Sequence, residues 1–212
     1  NGAGKSSLLW ALQGALTATG EVSVNGIDPR GLSAPAARRL VTLVPQTAGD
    51  LLYLPSVDQE CAQSDTESEV EPGTTANLLA SLGIRVDPDA DPRDLSEGQR
   101  LALVLAIQLA AGPPVVLLDE PTRGLDYATK ADLHRVVDRL AAQGAAVLIS
   151  THDVEFAALA STRMLIMAEG ELVADGTTAA LCTSSPAYAP QTAKVFAPVP
   201  VLTPDDLERG LG

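Results

Sequence analysis

Hydrophobic and polar residues follow two periods along this chain, and each period predicts its own secondary structure. Short apolar runs closed by proline or polar residues predict buried strands at 40–45, 115–121 and 145–151. An alternating pattern predicts an edge strand at 21–25, and Glu169-Gly170 predicts the turn of a hairpin over 163–176.

Helical spacing of apolar residues predicts helices at 5–16, 33–39, 74–84, 98–112 and 128–144. Ser33 precedes the second of these helices and is a candidate N-cap. Because strands alternate with helices, the sequence predicts an α/β domain with a mostly parallel sheet.

Two segments depart from this alternation. Residues 49–112 contain helical and polar stretches without a strand, which indicates a small helical subdomain inserted into a domain of residues 1–182. Within it we interpret the acidic run 58–75 as a solvated loop. The proline-rich residues 183–212 are expected to form an extended C-terminal segment.

Composition narrows the partners that this chain can take. The net charge of −13 argues against a nucleic-acid partner and against direct attachment to anionic lipid. No apolar run approaches the ~18 residues that a membrane-spanning helix needs, and the start does not resemble a signal peptide, so we expect a soluble chain. Cys61 and Cys182 lack metal-ligand spacing and are expected to be reduced thiols.

The chain begins with NGAGKSS, which matches the end of the phosphate-loop pattern G-x-x-x-x-G-K-[ST]. In that pattern, Lys5 reaches the outer phosphates of a nucleotide and Ser6 holds Mg²⁺. The alternative is an ordinary glycine turn before a helix. The leading glycine of the pattern would precede residue 1, so the front of the loop is expected upstream.

A pair of acids follows the buried run VVLL. Asp119 and Glu120 would be costly at a strand end without a cation to accompany them. Asp119 suits a Mg²⁺-binding aspartate, and Glu120 suits a general base that activates water. The alternative is an ordinary polar strand end, which explains one acid better than two.

A third motif, LSEGQR at 95–100, opens the predicted helix 98–112. Together, the motifs resemble those of the ATP-binding-cassette (ABC) ATPases, in the family's order. NGAGKSS resembles the end of Walker A, LSEGQ the signature LSGGQ, LLDEP Walker B, and GLD at 124–126 the D-loop. Gln46 resembles the Q-loop glutamine and His152 the switch histidine.

The resemblance implies a P-loop NTPase fold with an inserted helical subdomain, peripheral antiparallel strands, and first strands that lie before residue 1. It also implies ATP and Mg²⁺ as cofactors. The implied catalytic residues are Glu120, His152 and Gln46, and the implied Mg²⁺ residues are Ser6, Gln46 and Asp119. The implied nucleotide-binding residues are Asn1, Gly2, Ala3, Gly4, Lys5, Ser6, Ser7, Ser96, Gly98, Gln99 and Asp126.

In this family two cassettes pair head to tail, so Ser96, Gly98 and Gln99 would meet the nucleotide of a partner cassette. That partner would be an upstream cassette of the same polypeptide or another copy. Glu97 replaces one of the two glycines of the family's signature LSGGQ. No residue is assigned to adenine stacking.

The segment SSPAYAPQTAKVFAPVPVLTPDDL resembles the C-terminal part of energy-coupling-factor importer ATPases, chiefly the second cassette of fused proteins. This implies a peripheral subunit on the cytoplasmic face of the membrane, bound to a transmembrane coupling subunit and a substrate-binding membrane subunit. The transported substrate stays open among cobalt, nickel, biotin, thiamine precursors and other vitamins. Alternatives are a non-transport ABC ATPase, which the short acidic gap after Gln46 opposes, and a non-hydrolytic nucleotide-binding module.

Overall fold

The computed structural model describes residues 2–197, 199, 201–203 and 206. The chain divides into two compact units. The larger unit is Ser6–Ser150, and the smaller one combines the described residues of Asn1–Lys5 and Thr151–Gly212.

A three-stranded parallel sheet, in the order β1-β2-β3, forms the centre of the larger unit. Its strands are β1 (Val41–Val44), β2 (Val115–Asp119) and β3 (Ala146–Ser150). The register pairs Val44 with Leu118, and Asp119 with Ser150, so all three strands end at the same edge. The three predicted strands and their parallel pairing are confirmed. Burial is confirmed for β1 and nearly all of β2, whereas β3 is only partly buried up to Ser150.

Six α-helices of the described chain belong wholly or mostly to the larger unit. They are α1 (Lys5–Gln13), α2 (Ala34–Arg38), α3 (Val57–Ser68), α4 (Thr74–Ser81), α5 (Glu97–Leu109) and α6 (Tyr127–Ala142). Leu9 of α1 packs against Val41, Leu43 and Leu117 of the sheet, and all four side chains are buried. Leu9 therefore anchors α1 to the sheet of the larger unit.

The edge strand predicted at 21–25 is wrong. Val24 and Ile27 form a single antiparallel bridge around Asn25-Gly26, and both central residues have positive φ. This is the geometry of a tight hairpin turn, which folds the segment back on itself. The alternating residues therefore mark a turn rather than a strand.

The interpretation of the acidic run 58–75 as a solvated loop is also wrong, because residues 57–68 form helix α3. The Ser56 hydroxyl caps the helix by accepting from the Gln59 N–H. Asp58 and Glu60 lie in the first turn, where negative charge is favoured by the helix dipole. Val57 and Cys61 of α3 pack in a core with α4 and α5, so this face is buried.

Asp65 of α3 is a buried carboxylate that holds the start of α4. Its Oδ1 accepts from the Thr75 N–H at 2.8 Å and the Thr75 hydroxyl at 2.6 Å, and its Oδ2 accepts from the Gly73 N–H at 2.6 Å. Burial acts to raise the pKa of Asp65, but these hydrogen bonds outweigh it and keep the pKa below its usual value. The charged form is therefore part of the folded structure.

We expect an Asp65→Asn variant to lose about 2–3 kcal/mol of unfolding free energy at neutral pH, because an amide NH₂ would face the Gly73 N–H or the Thr75 donors. Since the folded pKa is lowered, this contribution is complete above the unfolded pKa of about 4 and is lost as the pH falls through the folded pKa. Urea unfolding at pH 7 and pH 3 checks both statements. Asp58→Asn, at an exposed position of the same helix, is the control; equal losses in the two variants would contradict the role of Asp65.

The smaller unit contains an antiparallel hairpin and three short helices. Strands β4 (Arg163–Ala168) and β5 (Glu171–Thr177) join at Glu169-Gly170, both with positive φ, so the predicted hairpin and turn are confirmed. The helices are α7 (Val154–Ala160), α8 (Thr178–Ser184) and α9 (Gln191–Phe196).

The C-terminal segment is not simply extended, because α8 ends within it and α9 follows. The Gln191 N–H at the start of α9 donates to the Glu155 carboxylate at 2.6 Å, and Pro190 beside it is buried. This hydrogen bond anchors the start of α9 to α7. Among the described residues, Cys61 and Cys182 are free buried thiols, and no helix is long and apolar enough to cross a membrane.

Candidate functional site

Two buried side-chain oxygens lie next to each other at the edge of the sheet where β2 and β3 end. Asp119 is 3% exposed and Ser150 is 6% exposed, and they are register partners. In the described part of the chain, Asp119 Oδ1 and Ser150 Oγ have no hydrogen-bond partner. Because a buried unpartnered oxygen costs about 1–3 kcal/mol, and more when charged, this pair indicates a place for a cation or its water ligands.

The chemistry of these oxygens fits Mg²⁺. That ion binds through one or two carboxylates and completes its shell with water and substrate phosphates. The residues that the structure describes contain no cluster of three His, Cys, Asp or Glu side chains suited to a metal. A Mg²⁺ ion here would therefore take most of its ligands from water and a phosphate group.

Glu120 adopts a strained backbone conformation immediately after Asp119. Its φ is 49°, a value that costs a residue with a side chain about 1–2 kcal/mol. The Glu120 N–H donates to the Ser150 carbonyl at 2.7 Å, which holds the turn in place. Strained backbone conformations are common at functional sites. Here the strained residue is a second acid, which lies directly beyond the sheet edge.

Gln46 leaves the same edge of the sheet, since only Pro45 separates it from the end of β1. Its side chain is exposed. Gln46, Asp119, Glu120 and Ser150 therefore all lie at the carboxyl ends of the parallel strands. This is the edge at which open parallel α/β sheets bind ligands.

The glycine loop before α1 has the backbone shape of an anion-binding loop. Gly2 and Gly4 both have φ of 85°, and Ala3 lies between them. Helix α1 then begins at Lys5, and its first N–H groups have no partner within the helix. Such groups suit phosphate oxygens; Ser6 and Ser7 continue the first turn, and Asn1 lies outside the described residues.

His152 belongs to the smaller unit, as do Gly2–Lys5. In the chain it comes two residues after β3 ends, and its side chain is exposed. The turn around it is held because the Asp153 N–H donates to the Thr151 hydroxyl at 3.0 Å, and Asp153 caps α7 through the Phe156 N–H. The imidazole ring of His152 is thus exposed on a turn that these hydrogen bonds hold in place.

Ser96 and Gln99 form a capping box at the start of α5. The Gln99 N–H donates to Ser96 Oγ at 3.3 Å, and the Ser96 N–H donates to Gln99 Oε1 at 3.1 Å. The Gln99 amide also donates to the Arg85 carbonyl at 2.9 Å. These bonds fix the helix N-terminus, whose first N–H groups include that of Gly98.

Glu97 is turned along the helix by an ion pair. Its Oε1 lies 2.8 Å from Arg100 Nη1, and its Cγ lies beside Gly124 of the GLD motif. The acid that departs from the signature pattern is therefore matched by a cation three residues later.

The same helix start contacts α6 at Gly98. A Cβ added to Gly98 would lie 2.7 Å from Thr129 Cγ2. Asp126 caps α6 by accepting from the Thr129 N–H at 2.8 Å, and this backbone hydrogen bond lowers the pKa of Asp126. Thr129 thus packs against Gly98 and donates its N–H to Asp126.

We therefore expect Gly98→Ala to cost about 1–3 kcal/mol of unfolding free energy, since the added methyl overpacks against Thr129. Adding Thr129→Ser, which removes Cγ2 and keeps the hydroxyl, should restore most of the loss. Thermal unfolding of the two single variants and the double variant tests this. A Gly98→Ala loss that Thr129→Ser leaves unchanged would contradict the contact.

Sequence reasoning missed Ser150 and Arg100. Ser150 is a lone hydroxyl at the end of an apolar strand, and only the β2–β3 register shows that it adjoins Asp119. Arg100 is the last residue of LSEGQR, and the motif assigns it no role. A cation in the first turn of a helix is unfavourable for the helix dipole, and this could have singled it out.

Comparison with known proteins adds the family context. The family model described as ABC transporter matches residues 1–123. A putative ABC transporter ATP-binding protein of Streptomyces coelicolor is 50% identical over 204 residues, which cover 96% of this chain and 36% of that protein. The chain thus spans well under half of that relative's length.

An energy-coupling factor transporter ATP-binding protein, EcfA, of Methanoculleus marisnigri is 34% identical over 217 residues, covering 100% of this chain and 78% of that protein. The solved structure of cbiO1 from Clostridium perfringens, titled as part of the ABC transporter complex cbiONQ, superposes with a TM-score of 0.75. It is 23% identical and covers 93% of this chain and 81% of that one, so it supports the fold alone. The predicted P-loop NTPase fold is confirmed.

Proposed function

The chain belongs to the ABC transporter family, and from this premise we propose that it binds and hydrolyses MgATP to power an importer. The observation that carries the proposal is the pair Asp119–Glu120 at the sheet edge. Asp119 has a buried oxygen without a partner among the described residues, and Glu120 is held in a strained turn beside it. One acid is thus suited to a cation and the other to a water molecule.

We assign the residues of the phosphate loop, Asn1 to Ser7, to the phosphates of ATP. The loop formed by Gly2 and Gly4, both with positive φ, and the start of α1 offer N–H donors, and Lys5 adds a positive charge. Ser6 and Asp119 would hold Mg²⁺, with Gln46 as a further ligand. The ion would neutralise phosphate charge.

Hydrolysis then requires a base and a group that steadies the departing phosphate. The Glu120 carboxylate accepts a proton from water while the water oxygen bonds to the γ-phosphorus. The bond from that phosphorus to the β–γ bridging oxygen breaks, and ADP keeps the electron pair. His152 contacts the γ-phosphate in this proposal.

A second cassette completes the arrangement. Ser96, Gly98 and Gln99 would meet the nucleotide held by that partner, with the N-terminus of α5 directed at its negative charge. Asp126 is assigned to the same surface, because Thr129 donates its N–H to Asp126 and packs against Gly98. The greater length of the Streptomyces relative is consistent with an upstream cassette in one polypeptide, and another copy is the other form of partner.

The importer class is proposed as the energy-coupling-factor type, carrying a metal ion or vitamin. The EcfA relative supports this class. In this proposal residues 1–182 form the ATPase domain, residues 49–112 its helical subdomain, and residues 183–212 a C-terminal extension. The protein docks at the cytoplasmic face on a transmembrane coupling subunit, which works with a substrate-binding membrane subunit.

Co-expression tests the importer assignment. The full-length protein that contains this chain should co-purify with a neighbouring transmembrane coupling subunit and show a higher ATP turnover in the complex. A protein that hydrolyses MgATP but forms no complex would overturn the importer assignment and leave the ATPase assignment standing.

A further inference from the structure

Arg100 binds the loop that precedes its own helix. Its guanidinium makes an ion pair with Glu97 and donates to three main-chain carbonyls, those of Leu95 at 2.9 Å, Arg93 at 3.1 Å and Pro92 at 3.5 Å. The side chain is only 21% exposed. Because a cation in the first turn of a helix is opposed by the dipole, these acceptors account for its position.

The aliphatic part of the Arg100 side chain packs against a glycine of another segment. Gly49 belongs to the 3₁₀ turn Ala48–Leu51, which starts two residues after Gln46. A Cβ added to Gly49 would lie 2.9 Å from Arg100 Cδ and 3.5 Å from its Nε. Gly49 does not have a positive φ, so its backbone tolerates alanine, and the Arg100 side chain supplies the close contact.

We propose that Arg100 is a positioning residue that couples the turn after Gln46 to the capped start of α5. A displacement of Gly49 pushes on Cδ, and the guanidinium passes that displacement to the 92–95 loop and to Glu97. Ser96 lies between these two points of attachment. The role in turnover rests on the proposed function, whereas the mechanical link does not.

The chemistry of the link requires arginine. A planar guanidinium reaches several acceptors at once in fixed directions, whereas a lysine ammonium is a single point charge on a flexible stem. The link would allow a change at the turn after Gln46 to alter the position of Ser96, the residue assigned to the partner's nucleotide. Turnover and the state of that turn would then be coupled inside one cassette.

A double-mutant cycle on the full-length protein tests the link without relying on ATP hydrolysis. Hydrogen exchange followed by mass spectrometry reports on residues 92–101 in Gly49→Ala, Arg100→Met and the double variant. Arg100→Met keeps an unbranched stem and removes the guanidinium. Gly31→Ala is the matched control, because Gly31 also lies in a 3₁₀ turn and lacks a positive φ, and no atom of the described residues lies within 4 Å of an added Cβ.

Gly49→Ala should speed exchange of residues 92–101 by about tenfold, the scale of losing a hydrogen bond or two from a local network. Gly31→Ala should leave this segment unchanged. In the Arg100→Met background, Gly49→Ala should add no further change. An equal effect of Gly49→Ala in both backgrounds, or no effect in either, would overturn the link.

The kinetics of ATP turnover are the second measurement. Gly49→Ala and Arg100→Lys should each lower kcat about tenfold with KM little changed, because Ser96 would act on the partner's nucleotide rather than on binding in its own loop. A variant that alters exchange but not kcat would confine Arg100 to a structural role and overturn its positioning role. Absence of turnover in the wild type would instead count against the proposed function, with the exchange cycle still deciding the mechanical link.

Discussion

A Glu120→Gln variant is expected to bind MgATP normally and to hydrolyse it about 10²–10⁴ times more slowly than the wild type, the range usual for loss of a general base. Glutamine keeps the size of the side chain and the hydrogen bond from the residue 120 N–H to the Ser150 carbonyl. Only the proton acceptor is lost. Phosphate release and nucleotide binding, measured on the same preparations, separate the two effects.

The chain offers a matched control for this substitution. Glu169 has φ of 51°, close to the 49° of Glu120, but it lies in the exposed hairpin turn. Glu169→Gln therefore makes the same chemical change on the same backbone conformation and should leave turnover intact. Turnover that survives Glu120→Gln would show that another group is the base.

Asp119→Asn is expected to stabilise the nucleotide-free protein and to abolish its stabilisation by MgATP over ATP alone. Among the described residues, one oxygen of the buried Asp119 carboxylate has no hydrogen-bond partner, so its neutral isostere should raise the unfolding free energy by about 1–3 kcal/mol. At a hundredfold excess of ligand over Kd, the wild type should gain about 2.7 kcal/mol from MgATP. The variant should lose the part of this gain that depends on Mg²⁺.

Thermal unfolding with ATP, with MgATP and without ligand measures both effects. Asp89→Asn, at an exposed position, is the control and should behave as the wild type does. If Asp119→Asn destabilised the ligand-free protein and left the Mg²⁺ effect unchanged, the assignment of Asp119 as a cation ligand would be wrong.

The strands and their terminal acids could be predicted from the sequence because the signal is local. VVLLDEP places four apolar residues directly before two acids, so a strand formed by the apolar run has Asp119 and Glu120 at its end. The glycine loop is local in the same way, since Gly2 and Gly4 supply the positive φ that the turn requires. Such features need no knowledge of distant residues.

Helix α3 could not be predicted in the same way because its buried acids resemble a solvated stretch. Glu60 accepts from the Tyr53 and Leu54 N–H groups, and Asp65 from those of Gly73 and Thr75. These partners come from the flanking segments, and nothing in the acidic composition shows that the carboxylates are satisfied. The hydrogen bonds, rather than hydrophobic spacing, allow this helix to be buried.

Contacts between separate elements could not be predicted from the sequence for a related reason. The position of Ser150 beside Asp119 is evident only from the strand register. The contact of Arg100 with Gly49 is likewise evident only from the packing of the two segments. Both depend on how separate segments pack. A motif search finds the residues that contact a ligand more readily than those that position them.

The decisive experiment measures phosphate release from ATP by the purified full-length protein, with Mg²⁺ and with a chelator. Steady release that requires Mg²⁺ is expected, because in the proposed mechanism Asp119 holds the ion and Glu120 activates the water. Tight ATP binding with no phosphate release under either condition would contradict it and would identify a nucleotide-binding module that does not hydrolyse ATP.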